Sequence, residues 1–162
     1  MDEVKKWLKK IEEVKKGDVD LSRDEDLSIA LMNVISLEEH FYFTAMKTEN
    51  QKYIGMLNSI RELRKNLMQK IVTDPEGEEW CISKHLLAAS MRLIEVGNKQ
   101  LTKGDNKKAE EMFIKAFDLY SLFWSLNLKL ISSDEIIKKE EKEKWTNKLS
   151  GVVKKLIDCC KE

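Results

Sequence analysis

The sequence predicts an all-α protein, an up-and-down helical bundle of four central helices with a further helix at each end. Three observations lead there. The chain of 162 residues holds one proline and six glycines, so little in it interrupts a helix. Apolar residues (42%) and charged residues (36%) alternate at spacings of three and four, the period of a helix face. Capping residues and tight-turn residues divide the pattern into six segments, and nowhere does a strand pattern compete. At this length one domain, residues 1–162, buries its own core without disulfide or metal.

The first segment, about 2–16, sets Val4, Leu8 and Ile11 in one stripe and stops near Gly17. The second starts on Ser22 and Glu25, a capping box in which the serine caps the first turn and the glutamate reaches back. It runs to about Lys47. Thr48 and Gln51 repeat the device for a third segment ending near Val72. Asp74-Pro75 then reads as an N-cap with proline at the first helical position, opening a fourth segment to about Thr102. Gly104-Asp105 stops that helix and starts the fifth, which reaches about Ile131. Ser132 and Glu135 open the last. The core is expected in 22–131, with 2–16 and 133–161 packed on it or on a partner. Connections this short make neighbouring helices antiparallel.

Two resemblances attach to quoted stretches. Residues 97–116, GNKQLTKGDNKKAEEMFIKA, resemble the centre of a tetratricopeptide repeat: Gly97, Ala109, Phe113 and Ala116 match its spaced small and aromatic positions, and KGDNKKA its turn. The match spans one helical hairpin, with no second copy at the family's 34-residue period. The span from Glu38 to Asn127, carried by WCISKHLLAASMRL and LYSLFWSLN, resembles helical-bundle proteins of uncharacterised archaeal and bacterial families. That resemblance implies a bundle and no activity.

Twenty-nine basic residues balance twenty-nine acidic ones, so no global field attracts nucleic acid or an anionic membrane surface. No run approaches the roughly 18–20 apolar residues of a membrane span. The start, MDEVKKWLKK, lacks the apolar core of a secretory signal. Three cysteines, two of them adjacent, make a poor disulfide framework. A cytoplasmic protein with reduced thiols is expected, and the abundance of Lys, Glu and Ile suits a thermophile.

Polar residues on inward positions are the candidates for chemistry. In the second segment the stripe Leu27, Leu31, Val34, Glu38, Phe41, Ala45 puts Glu38 where a leucine belongs, while Ile29, Met32 and Phe43 indicate a second packed face. In the third, Arg64 points inward with Ile60 and Leu67. A buried carboxylate and a buried guanidinium each need a partner, and an antiparallel hairpin brings these two within a turn of each other. The fourth segment carries two stripes. Trp80, Leu87, Met91, Ile94 and Leu101 form the apolar one; Glu78, Cys81, His85, Ala89, Arg92 and Val96 form the other. The fifth packs Phe113, Ala116, Phe117, Tyr120 and Trp124, with Asn127 on the same side and Asp118 outside.

Cys81 and His85 stand four apart on one helix face, and thiolate with imidazole is a preferred donor set for zinc. With Glu38 or Glu78 they would make a single zinc or iron centre inside a bundle. The ferritin-like arrangement needs Glu-x-x-His, but Leu37 and Ile82 stand three before the histidines. GDNKKA lacks the pattern of a phosphate loop. Arg61, Arg64 and Arg92 either converge on an anion or balance charge within the bundle, and balance is the simpler expectation. Segment six follows a solvated charge run with a narrow stripe of Trp145, Leu149, Val152 and Leu156, suited to a dimer arm. The leading expectation is a non-enzymatic interaction or scaffold protein that self-associates or takes a protein partner. The rival is a metal-binding bundle on Cys81 and His85.

Overall fold

The computed structural model describes residues 21–133 together with Lys9, Glu12, Ile136, Ser150, Gly151, Val153 and Lys154. It is all-helical, with no strand among the described residues. Four helices follow one another: α1 (Ser22–Thr48), α2 (Gln51–Met68), α3 (Glu79–Thr102) and α4 (Asn106–Asn127). α3 and α4 share the most extensive interface, α1 packs on α2, and α1 also lies on α3. The main core gathers Leu31, Met32 and Ile35 of α1, Met68 of α2, Leu87 of α3, and Phe123 and Trp124 of α4, all nearly or fully buried.

The helix starts show where local chemistry decides and where it does not. Asp105 caps α4 as expected, accepting a hydrogen bond from the Lys108 backbone N–H at 3.1 Å, while Gly104 turns the chain at φ 76°. The Lys108 ammonium and backbone N–H hold the Asp105 carboxyl below its usual range. The other expected caps shift. α1 has Leu21 as its N-cap with no side-chain bond, in place of the Ser22–Glu25 box. α2 is capped by Asn50, whose side chain accepts from the Lys52 N–H at 2.9 Å, while Thr48 donates back to the Thr44 carbonyl. α2 ends at Met68, four residues early, yet Ile71 and Val72 turn inward and stay buried.

Asp74-Pro75 does not begin α3. Asp74 and Gly77 both adopt left-handed backbone (φ 47° and 52°), and the helix starts only at Glu79. Glu79 replaces the expected cap: its carboxylate accepts from the Glu76 N–H at 2.9 Å and pairs with Lys129, whose ammonium also donates to the Asp74 carbonyl at 3.2 Å. Lys129 is itself left-handed (φ 54°), in the turn that ends α4 four residues before the expected stop. One buried carboxylate therefore fixes two chain reversals.

The α3–α4 interface rests on small residues seven apart. Ser83, Ser90 and Gly97 of α3 are buried, as are Ala109 and Ala116 of α4. The Ser90 hydroxyl donates to the Ala116 carbonyl at 2.8 Å, a helix-to-helix bond that only close backbones permit. Asn127 donates to the Ser83 hydroxyl at 3.2 Å and to the Phe123 carbonyl at 2.8 Å. Gly97 faces the Phe113 ring so closely that an added Cβ would fall within 3.0 Å of it. Gly97, Ala109, Phe113 and Ala116, the positions that resemble a tetratricopeptide hairpin, all lie along this seam. On the opposite flank, Tyr120 of α4 and Ser28 of α1 share a 2.7 Å hydrogen bond; Ser28 donates its own proton to the Glu25 carbonyl, so Tyr120 is the donor.

Ser150 and Val153 are buried, Val153 completely and within the main core. Ser150 donates to Asp118, which is half-buried rather than outside, and the Lys154 ammonium lies 5.3 Å from the Phe117 ring centroid. Trp7, Trp145, Leu149, Val152, Leu156, Cys159, Cys160 and the expected cap residue Glu135 lie outside the described residues. No described helix is long and apolar enough to cross a membrane.

Two measurements check this packing. Gly97→Ala should lose about 1–3 kcal/mol in urea unfolding, because the Phe113 ring must give way. The loss should largely disappear in a Phe113→Ala background. The second concerns acid. Burial acts to raise the Glu79 carboxyl, but hydrogen bonds from Lys129 and the Glu76 N–H outweigh it and hold the group below the usual carboxylate range. A carboxyl depressed in the folded state adds stability above its unfolded value and loses it as pH falls through the folded one. Lys129→Met should therefore be less stable than wild type at pH 6, with the gap closing towards pH 3, in paired denaturation curves.

Candidate functional site

The second stripe of α3 faces outward: Glu78, Cys81, His85, Ala89, Arg92 and Val96 are all exposed. Cys81 is a free, exposed thiol. His85 alone of the expected metal set shares a cavity with Glu38, and Cys81 and Glu78 are not part of its lining. Glu38 is committed elsewhere. Its two oxygens accept from Arg64, from Nε at 2.9 Å and from Nη2 at 3.3 Å. The expected interior Glu38–Arg64 pair is thus formed, with the guanidinium almost wholly enclosed (6% exposed) and the carboxylate at 21%. Among the described residues, no three His, Cys, Asp or Glu side chains gather so as to hold a metal ion.

The cavity is a groove of about 570 Å³ between three helices. α1 contributes Ile35, Glu38, Glu39 and Tyr42; α2 contributes Ile54, Leu57, Asn58, Arg61 and Arg64; α3 contributes Lys84, His85 and Ala88. Antiparallel pairing sets this register. The Phe41 and Tyr53 rings stack near the α1–α2 turn with centroids 6.5 Å apart, and Glu38 meets Arg64 further along.

Both acids of the groove are already paired. Arg64 takes Glu38, and Arg92 takes Glu39 at 3.0 Å while also donating to the Ser36 hydroxyl. Two of the three arginines singled out in the sequence therefore balance charge between helices. The third does not. Arg61 is exposed in the groove, and its side chain and those of Lys84 and His85 make no hydrogen bond or ion pair with the described residues. The groove is thus apolar along its walls and carries unmatched positive charge.

The sequence reading missed Lys84, Asn58 and Tyr42. Ile54, Asn58 and Arg61 stand four and three apart, so they share a face of α2 that could be recognised once Arg64 is placed inward. Lys84 carries no such signal, since only the position of α1 across from α3 makes it part of a groove. Of the three residues expected on a second packed face of α1, Met32 is buried in the main core, but Ile29 (45%) and Phe43 (57%) lie open. Leu101, placed on the apolar stripe of α3, is exposed as well.

Comparison with protein-family models, with curated proteins and with solved structures finds no match for this chain.

The ion pair gives a direct test of what Glu38 does. Glu38→Ala leaves Arg64 enclosed without a counter-charge and should cost about 3 kcal/mol by chemical denaturation. Replacing both with apolar residues, Glu38→Leu with Arg64→Met, should return stability to within about 1 kcal/mol of wild type. That recovery would show that Glu38 serves the fold by compensating the Arg64 charge; a loss that persists in the double variant would mean that it supports the fold through another contact.

Proposed function

We propose that this chain is a non-enzymatic helical-bundle interaction protein that self-associates through the outer end of α1. The observation that supports it is a cluster of large apolar side chains left in solvent. Tyr42, Phe43 and Met46 are 48%, 57% and 55% exposed. The Tyr42 and Phe43 rings meet edge to face with centroids 5.2 Å apart, and Met46 follows at i,i+4 and i,i+3. Aromatic residues and methionine are the types enriched at protein interfaces, and keeping them in water costs free energy that association recovers.

A second copy is the occupant the composition favours. With 29 charges of each sign, two copies meet without net repulsion, and an apolar patch can pack on itself about a two-fold axis. Residues 133–162 are a weaker choice for the dimer arm, since Val153 and Ser150 are already buried against their own bundle. In this reading residues 2–16 and 133–161 are further helices laid on the four central ones, and the protein works in the cytoplasm with its thiols reduced.

Sedimentation velocity over a wide concentration range tests it. The wild-type protein should shift towards dimer mass, and Phe43→Ser with Met46→Ser should remain a monomer with unchanged helicity, because both side chains are exposed. A wild-type monomer at every concentration removes self-association. A dimer untouched by the double variant puts the interface elsewhere.

A further inference from the structure

We infer that the groove between α1, α2 and α3 binds a small organic carboxylate with an apolar body, its head held by Arg61, Lys84 and His85. Three features of the groove lead to this class. Its charge is unbalanced in one direction, because Glu38 and Glu39 are neutralised by Arg64 and Arg92 while Arg61 and Lys84 have no counter-charge among the described residues. Its donors come from facing helices, Arg61 from α2 and Lys84 and His85 from α3, so they converge on the space between. A planar guanidinium matches a carboxylate in two parallel hydrogen bonds, and an ammonium adds a point charge beside it.

The remaining walls select the body of the ligand. Ile35, Ile54, Leu57 and Ala88 give the groove apolar sides, which a bare inorganic anion would leave in contact with water. A volume of about 570 Å³ lies within the usual size of small-molecule sites. An acyl or aryl chain along the walls with its carboxylate at the basic rim uses both halves of the surface. Tyr42 borders both the groove and the apolar cluster, but Arg61, Lys84 and His85 lie outside the Tyr42–Phe43–Met46 cluster, so variants of those three should weaken the ligand and leave the sedimentation of the protein unchanged.

Octanoate is a suitable probe, with 1-octanol as its uncharged counterpart and inorganic phosphate as the anion without an apolar body. Calorimetric titration of the full chain, with amide chemical shifts recorded in parallel, should give one octanoate per protein with shifts centred on the groove. Arg61→Gln and Lys84→Gln should each weaken octanoate about tenfold, the worth of one charge-assisted hydrogen bond. Lys99→Gln, an exposed lysine of α3 outside the groove lining, should not. Octanol binding as tightly as octanoate would remove the role of the charge. Phosphate binding as tightly would remove the role of the walls. Shifts centred on Phe43 and Met46, or no binding at millimolar octanoate, would overturn the site itself.

Discussion

The close approach of α3 and α4 is the constraint on which the other contacts depend. Ser83, Ser90 and Gly97 repeat at seven, facing Ala109 and Ala116, also seven apart, and no long side chain keeps these backbones apart. Close backbones let the Ser90 hydroxyl reach a carbonyl of the neighbouring helix, so burying a polar side chain here costs little. With that hairpin fixed, Phe123 and Trp124 are carried to the centre of the bundle, where α1 lays Leu31, Met32 and Ile35 against them. Tyr120 then reaches Ser28 and ties α4 to α1. The large side chains make the core, but the small ones decide where it is.

Ion pairs do a different job. Glu38–Arg64 and Glu39–Arg92 link α1 to α2 and to α3, and Glu79–Lys129 joins the two turns that bracket the α3–α4 hairpin. An exposed pair such as Glu39–Arg92 adds little stability, while an enclosed one such as Glu38–Arg64 mainly penalises arrangements that separate its members. Satisfying these acids also leaves Arg61, Lys84 and His85 as the groove's basic residues without an ion-pair partner among the described residues. Its electrostatic character is therefore a remainder, set by which carboxylates the fold has already used.

The existence and order of the four central helices were legible in the chain, and so were the Gly104-Asp105 turn and the inward pairing of Glu38 with Arg64. Helix starts were read less well. Ser22, Thr48 and Asp74 each have a side chain able to cap, but a cap also requires an extended backbone at that position and a helix direction that the packing accepts. Asp74 instead takes a left-handed conformation, and Glu79, reached by Lys129 from fifty residues away, supplies the bond. Asn50 caps α2 two residues beyond Thr48 because the chain reverses at Glu49, itself left-handed at φ 52°. Such choices depend on where a distant residue ends up.

What the sequence determined by itself is the class of the protein: helical period throughout, turn residues between segments, no strand pattern, and charges that must meet where they point inward. The roles of its two histidine-bearing and arginine-bearing faces came from tertiary structure. Cys81 and His85 do share a helix face, but periodicity gives only the angle between side chains and leaves open which way the face turns. Packing turned it outward, because Ser83, Ser90 and Gly97 on another face allow a closer and better-bonded contact with α4 than Cys81, His85 and Arg92 could. The same packing brought Arg61 and Lys84 from different helices into one groove, a proximity that no local spacing encodes.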